Sequence, residues 1–432
     1  MKRSVRARLG LLGAFVALIV VAAVVVTRAD ASAQAELDER LEELRRQGAP
    51  LSLEDLARKP PRPEDNAATY IRRAKESVDS ISKEVDAAYE NEPERDQRAI
   101  DFGRPTEAYL RAVRSAFEAY PATLPLLEQA ANCQAYDAQY DYRASTSDFL
   151  DELLKQSQLN RAAIRVLGYR AAQQTADGQH DDALETGIVM LKLCHLLDNE
   201  PTLVGSLVAF ACRAVALYTI DLTLRSGDVS EKLRDALDKE LARSQVEQTF
   251  LNSLESDRAF GLTVLQEVAA GKHRPTDSFN VFWRTASDFQ KDQSRYLDYV
   301  ALCSSLTNKP YADIKHNDAL VKASEPLAEE IADAPQGAQV SRCRAQVYER
   351  AIRILNAIQR YEKTHPGQVP TVAELGLHKE VTTDPFNAQP LHIEKKPGGW
   401  LIYSVDMNLK DDGGPTTWSD IGFGPLPRTR ED

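Results

Sequence analysis

Seven stretches between Asn66 and Leu302 space their apolar residues three and four apart. That period leaves little choice of fold, because each stretch can bury a continuous stripe only as an amphipathic helix. In the first, Ala67, Tyr70, Ile71, Ala74, Val78, Ile81 and Val85 share one face behind Asn66, a residue suited to capping a helix start. The others run over Ala108–Tyr120, Phe149–Ala172, Ala183–Leu197, Leu203–Leu224, Val246–Ala270 and Phe282–Leu302. Gly178, Gly227 and Gly271 fall where helices should stop. The middle of the chain is expected to be an all-helical body, over 64–335.

Two pieces of that body invite stronger readings. Gly178 and Ala183 have the spacing of a tetratricopeptide hairpin, but Gly187 stands where a large apolar residue is usual and no second copy follows at a period of 34, so a generic helical hairpin is expected. Leu203–Ile220 is apolar enough to suggest a membrane span. Arg213 lies mid-run, where a bilayer penalises it by about 2.5–3.5 kcal/mol, so a buried central helix is the expectation.

Ahead of the body, Leu9–Val26 runs eighteen residues without a charge behind Lys2, Arg3, Arg6 and Arg8. This length nearly crosses a bilayer as a helix, and the basic flank orients the remainder outward. A cleaved signal peptide is the competing reading, with Ala31-Ser32-Ala33 as the cleavage site; the run exceeds a usual signal core, which favours a retained anchor over 1–30. Residues 31–63 then read as a stalk, with Leu37, Leu41 and Leu44 on one helix face, Ser52 and Asp55 as a one-turn capping box, and Pro60, Pro61 and Pro63 ending it. Either way the body is expected outside the cytoplasm, anchored in a bacterial inner membrane.

Composition excludes one class of partner. A net charge of −12, with no basic stripe past the N-terminus, argues against nucleic acid. Five scattered cysteines form no C-x-x-C, and Cys194 and Cys212 are expected as buried thiols on helix faces.

After a Pro-interrupted boundary at 308–337, a new helix is expected from about Ser341 to Tyr361, stopped by His365-Pro366-Gly367. The period then becomes strand-like. Pro390–Ile393 and Gly399–Val405 read as a hairpin turning at Lys395–Gly398, with a third element ending at Asp420–Phe423. Segment 340–432 is thus a small α+β domain, and the fold class is mainly α: an N-terminal transmembrane helix, a helical body and this terminal domain.

Asp406, Asn408, Asp411, Asp412 and Asp420 place five oxygen-bearing side chains within fifteen residues, among glycines. Such a loop can wrap Ca²⁺, which takes six to eight hard oxygens, or it can be a solvated run of Asx turns.

The order of signals over the last 90 or so residues resembles the globular half of the type II secretion major pseudopilin. The likeness is carried by Gly367, Pro370-Thr371, Leu375, Asp384-Pro385-Phe386, Pro390, Leu401–Val405, Asn408, Gly413-Gly414 and Asp420-Ile421. With its tether and helical body, the whole chain is similar to membrane-anchored bacterial proteins that end in this pattern and carry no assigned activity. The resemblance implies a Ca²⁺ ligated at Asn408 and Asp420. The chain departs from the family in having Asp406 where glycine is usual and one extra residue before Gly413. Gly10 and Gly13 are followed by no early glutamate, which argues against prepilin-type processing.

Recognisable chemistry is missing. None of the seven histidines forms H-x-x-x-H or H-E-x-x-H, and there is no P-loop, dinucleotide fingerprint or G-x-S-x-G. His195, on an apolar helix, is expected as a satisfied packing residue. The sequence therefore predicts a non-enzymatic, membrane-tethered extracytoplasmic protein that contacts the bilayer through residues 9–26 and offers its helical body to a protein partner, with no nucleic acid and no identified small-molecule substrate. The alternatives are a component of a pseudopilus-like secretion assembly and a hydrolase without a recognisable motif.

Overall fold

The computed structural model describes residues 31–32, 34–101, 103–272, 286–324, 329–415 and 420–425. The expected membrane anchor, 1–30, lies outside the described residues. Within them the chain is mainly helical, with one small antiparallel sheet near its C-terminal end.

The helical order begins with α1 (34–46), α2 (Ala67–Arg73), α3 (Lys75–Glu90), α4 (Glu94–Asp101), α5 (Glu107–Ala119) and α6 (Thr123–Ala131). Asn66 caps α2, its Oδ1 accepting from Ala68 N at 3.1 Å. The same side chain donates to the Asp137 carbonyl at 2.8 Å, so a local cap also ties down a distant loop. At the centre stand α7 (Thr146–Ala176), α8 (His180–Leu197) and α9 (Thr202–Ser226), each packed on the other two. Gly178, at φ +76°, makes the α7–α8 turn. Gly187 has a packing reason: a Cβ there would lie 2.6 Å from Ile220 Cγ1, so its absence lets α9 approach α8 closely.

By length and composition α9 could cross a membrane, yet it is the innermost helix, with Leu203, Phe210, Arg213, Leu217, Ile220 and Asp221 all buried. Of the helices that follow, α11 (Val246–Ala269) packs on it, while α10 (Glu231–Ala242), α12 (Ala286–Leu306) and two short helices, α13 (Tyr311–Lys315) and α14 (Asp318–Ser324), pack on its neighbours. The last helix, α15 (Glu329–Thr364), starts a dozen residues before the expected point and runs through Pro335. Its length comes from tertiary support: α9, α11 and the sheet all pack along it.

The sheet has the order β1 (His392–Lys396), β2 (Gly399–Ser404), β3 (Ile421–Phe423), with His392 opposite Tyr403 and Ser404 opposite Ile421. Pro397 and Gly398 make the hairpin turn, Gly398 at φ +95°. Trp400, Ile402 and Phe423 join the same apolar cluster as Ile354, Leu355 and Ile358 of α15 and Leu217 and Ile220 of α9. Tyr348 of α15 packs tilted against Phe423 with centroids 5.0 Å apart, and Arg225 at the end of α9 donates to the Trp400 carbonyl at 2.7 Å.

The segment ahead of the body also lies against it. Leu37 is 3% exposed and Leu53 1%. Leu53 N donates to Thr263 Oγ1 of α11 at 2.9 Å, and Arg40 forms an ion pair with Asp298 of α12. Ser52 and Asp55 exchange the expected pair of capping bonds, at 2.9 and 3.3 Å.

Candidate functional site

The acidic loop after β2 divides into separate hydrogen-bonded pieces. Asp406, 3% exposed and at φ +51°, accepts from Arg344 Nε at 3.1 Å and Nη2 at 2.7 Å, so an α15 guanidinium already neutralises it. Asn408 Nδ2 donates to Asp412 Oδ2 at 2.7 Å, and Lys410 N closes an Asx turn on Asn408 Oδ1. Asp411 Oδ1 accepts from Gly413 N and the Tyr403 hydroxyl, both at 3.0 Å, which holds this carboxyl below its ordinary range. Asp420 Oδ2 accepts from Asp412 N at 3.0 Å and Gly414 N at 2.7 Å, while its Oδ1 is buried without a partner. Among the described residues no three histidine, cysteine or carboxylate side chains converge as a metal site.

The Asp384-Pro385-Phe386 turn next to this loop has an architectural job. Asp384 is fully buried and accepts from Phe386 N and Ser404 Oγ, both at 2.8 Å, and from Val405 N at 3.2 Å, fastening the turn to the end of β2. The turn's carbonyls at Pro385 and Phe386 then receive the N–H groups of Tyr311 and Ala312 at the start of α13.

A second centre, which sequence reasoning did not single out, lies where α8 hands over to α9. The link is only Asp198 to Pro201, and Thr202 is held at φ +72°, a left-handed conformation that a β-branched residue adopts at a cost of about 1–3 kcal/mol. Gly205 permits the fold-back, because a Cβ there would lie 2.8 Å from Glu200 Cβ. Glu200 is thereby driven inward to 6% exposure. Its Oε1 accepts from the Tyr136 hydroxyl at 2.7 Å and Asn160 Nδ2 at 3.2 Å; the Tyr140 hydroxyl reaches Oε2 at 2.9 Å. Burial pushes the Glu200 carboxyl up to about 7, and the hydroxyl and amide bonds offset only part of that rise. The same burial and the nearby carboxylate drive both tyrosine hydroxyls far above their ordinary value.

Tyr136 and Tyr140 form the floor of a cleft of about 830 Å³, walled by the segment after α1, the 134–142 loop and the Asn252–Ser256 turn of α11. A further left-handed residue, Gln139 at φ +60°, sits on that loop. Glu200, bonded to Tyr136 and Tyr140, lies behind that lining rather than in it.

A third polar cluster is sealed inside. Arg213, 1% exposed, donates to Asp198 Oδ2 at 2.5 Å, to Ser244 Oγ at 3.1 Å and to His195 Nδ1 at 3.4 Å, and His195 Nε2 donates to the Glu240 carbonyl at 3.1 Å. His195 is therefore satisfied, as its apolar helix suggested. The five cysteines are free thiols, with Cys194 and Cys212 buried.

These centres are assembled from elements far apart in the chain. No known family, curated protein or solved structure matches it. The functional reading accordingly stands on the chemistry of its own side chains. Signals for Glu200 existed only as fragments: a Pro-terminated link after α8, and Tyr136, Tyr140 and Tyr142 crowded into one non-helical loop.

Proposed function

We propose that this chain is a membrane-tethered extracytoplasmic protein whose helical body is a rigid platform for a partner and which catalyses no reaction of its own. The observation that carries the reading is the docking of α1 and the segment to Leu53 on α11 and α12. A stalk that left the body free would have no reason to bury Leu37 and Leu53 or to pair Arg40 with Asp298. With an apolar run just before it in sequence, that docking turns a leash into a fixed mount. The chemistry of Glu200 supports the non-catalytic part. Both its oxygens are engaged by Tyr136, Tyr140 and Asn160, which suits holding a loop in place better than attacking a substrate. Alkaline carbonate extraction tests the tether. The protein should stay in the membrane pellet, and its release to the supernatant would contradict the reading.

A second reading concerns Ca²⁺ in the acidic loop, and the buried, unpartnered Asp420 Oδ1 favours it. Asp411, Asp412, Asn408 and Asp420 would supply the oxygens, while Asp406 belongs to Arg344. EGTA should lower the melting temperature of the full chain but not that of Asp420→Asn. An unchanged wild-type melting curve removes the metal.

A further inference from the structure

The mount also specifies an orientation. Gln34 of α1 accepts from Gln290 Nε2 of α12 at 2.6 Å, and six residues later Arg40 donates to the Ser294 carbonyl at 3.2 Å and pairs with Asp298. The two helices therefore run parallel, and the N-terminal end of α12 lies beside the point where the chain arrives from residues 9–26. Seven residues, and so eight Cα-to-Cα steps, separate Val26 from Gln34. Even fully extended they span at most about 29 Å, and about 12 Å if helical.

We infer that the N-terminal end of α12 is the membrane-facing pole of the body, apposed to the lipid surface, with the C-terminal end of α12 pointing away from it. The inference rests on the tether proposed above and adds which side of the molecule the bilayer covers. Its geometry has a ready ruler. Lys291 and Ser305 are both exposed and both on α12. Fourteen residues of helix put them about 21 Å apart along its axis. A bilayer that holds residue 34 close must therefore lie nearer the first than the second. The same geometry sets the cleft over Glu200 back from the lipid, since its wall begins at Arg45, near the far end of α1. A partner could reach that cleft without touching the membrane.

The experiment uses the full chain in proteoliposomes. Lys291→Cys and Ser305→Cys are made in a Cys133→Ser background, since the remaining native cysteines are buried, and each is labelled with an environment-insensitive fluorophore. Vesicles carry phosphatidylcholine with a nitroxide on the headgroup as quencher. The expected result is co-flotation with the vesicles and quenching at position 291 at least twofold stronger than at 305. Co-flotation with equal quenching, or stronger quenching at 305, overturns the orientation and leaves the tether standing. Failure to float overturns the tether, and the orientation falls with it. The same labelled proteins in vesicles made without the nitroxide lipid give the unquenched baseline at both positions.

Discussion

Glu200→Gln should make the molecule more stable in alkaline than in acidic solution relative to wild type, because of how a buried carboxyl titrates. The Glu200 carboxyl takes its proton at about 7 in the folded chain and at its ordinary 4.5 when exposed. The folded state therefore binds the extra proton between those two values. The stabilisation is fully present below about 4.5 and is lost as pH rises through about 7, because the folded chain must then ionise a carboxyl that burial disfavours. One pH unit of separation is worth about 1.36 kcal/mol, so the full swing is about 3 kcal/mol. Glutamine keeps the shape and carries no charge at any pH. Changes in its hydrogen bonds to Tyr136, Tyr140 and Asn160 are independent of pH and cancel when two pH values are compared. Asp221 and Asp257, pushed to about 6 by burial, bend the wild-type curve in the same direction but are present in both proteins and also cancel. Urea denaturation followed by circular dichroism at pH 5 and pH 8 gives the four free energies. The advantage of the variant should grow by about 3 kcal/mol from pH 5 to pH 8. A difference that stays flat, or shrinks as pH rises, refutes the buried-carboxyl reasoning.

Further expectations follow from particular contacts. Arg213→Met strands Asp198 inside α8 and α9 and should cost about 3–5 kcal/mol in chemical denaturation, with Asp198→Asn in the same chain recovering part of the loss. Thr202→Gly relieves the left-handed strain and should stabilise by about 1 kcal/mol in the same assay, despite losing the long 3.4 Å bond to Gly205 N; a destabilised variant would show that the strain is not there. Trp400→Ala removes a side chain 5% exposed that also donates to Glu362 Oε1 at 3.1 Å, and should lower stability by about 3–5 kcal/mol.

What the sequence disclosed was local. Apolar spacing located the long helices because a stripe repeats within a few residues, and Asn66, the Ser52–Asp55 pair and the Lys395–Gly398 turn act over similarly short distances. Helix α6 escaped notice because Pro121 and Pro125 suggest a break, although proline is tolerated in a first helical turn. The early start of α15 escaped for a related reason: Pro335 weakens the local preference, and the support that overrides it comes from helices remote in sequence. Of the acidic loop, the residues were legible but their partners were not. Nothing near Asp406 announces Arg344, sixty-two residues earlier on another element. Glu200 was illegible for the same reason, since Asn160 lies forty residues away and Tyr136 sixty-four. Long-range polar networks leave no periodic trace, so centres of this kind emerge only once the helices are packed.

Labelling in spheroplasts tests most directly whether the body stands outside the cytoplasm. Glu118, exposed on α5, is changed to cysteine in the Cys133→Ser background and treated with a membrane-impermeant maleimide before and after lysis. Full labelling in intact spheroplasts is predicted. Labelling that appears only after lysis would place the body in the cytoplasm and contradict the account.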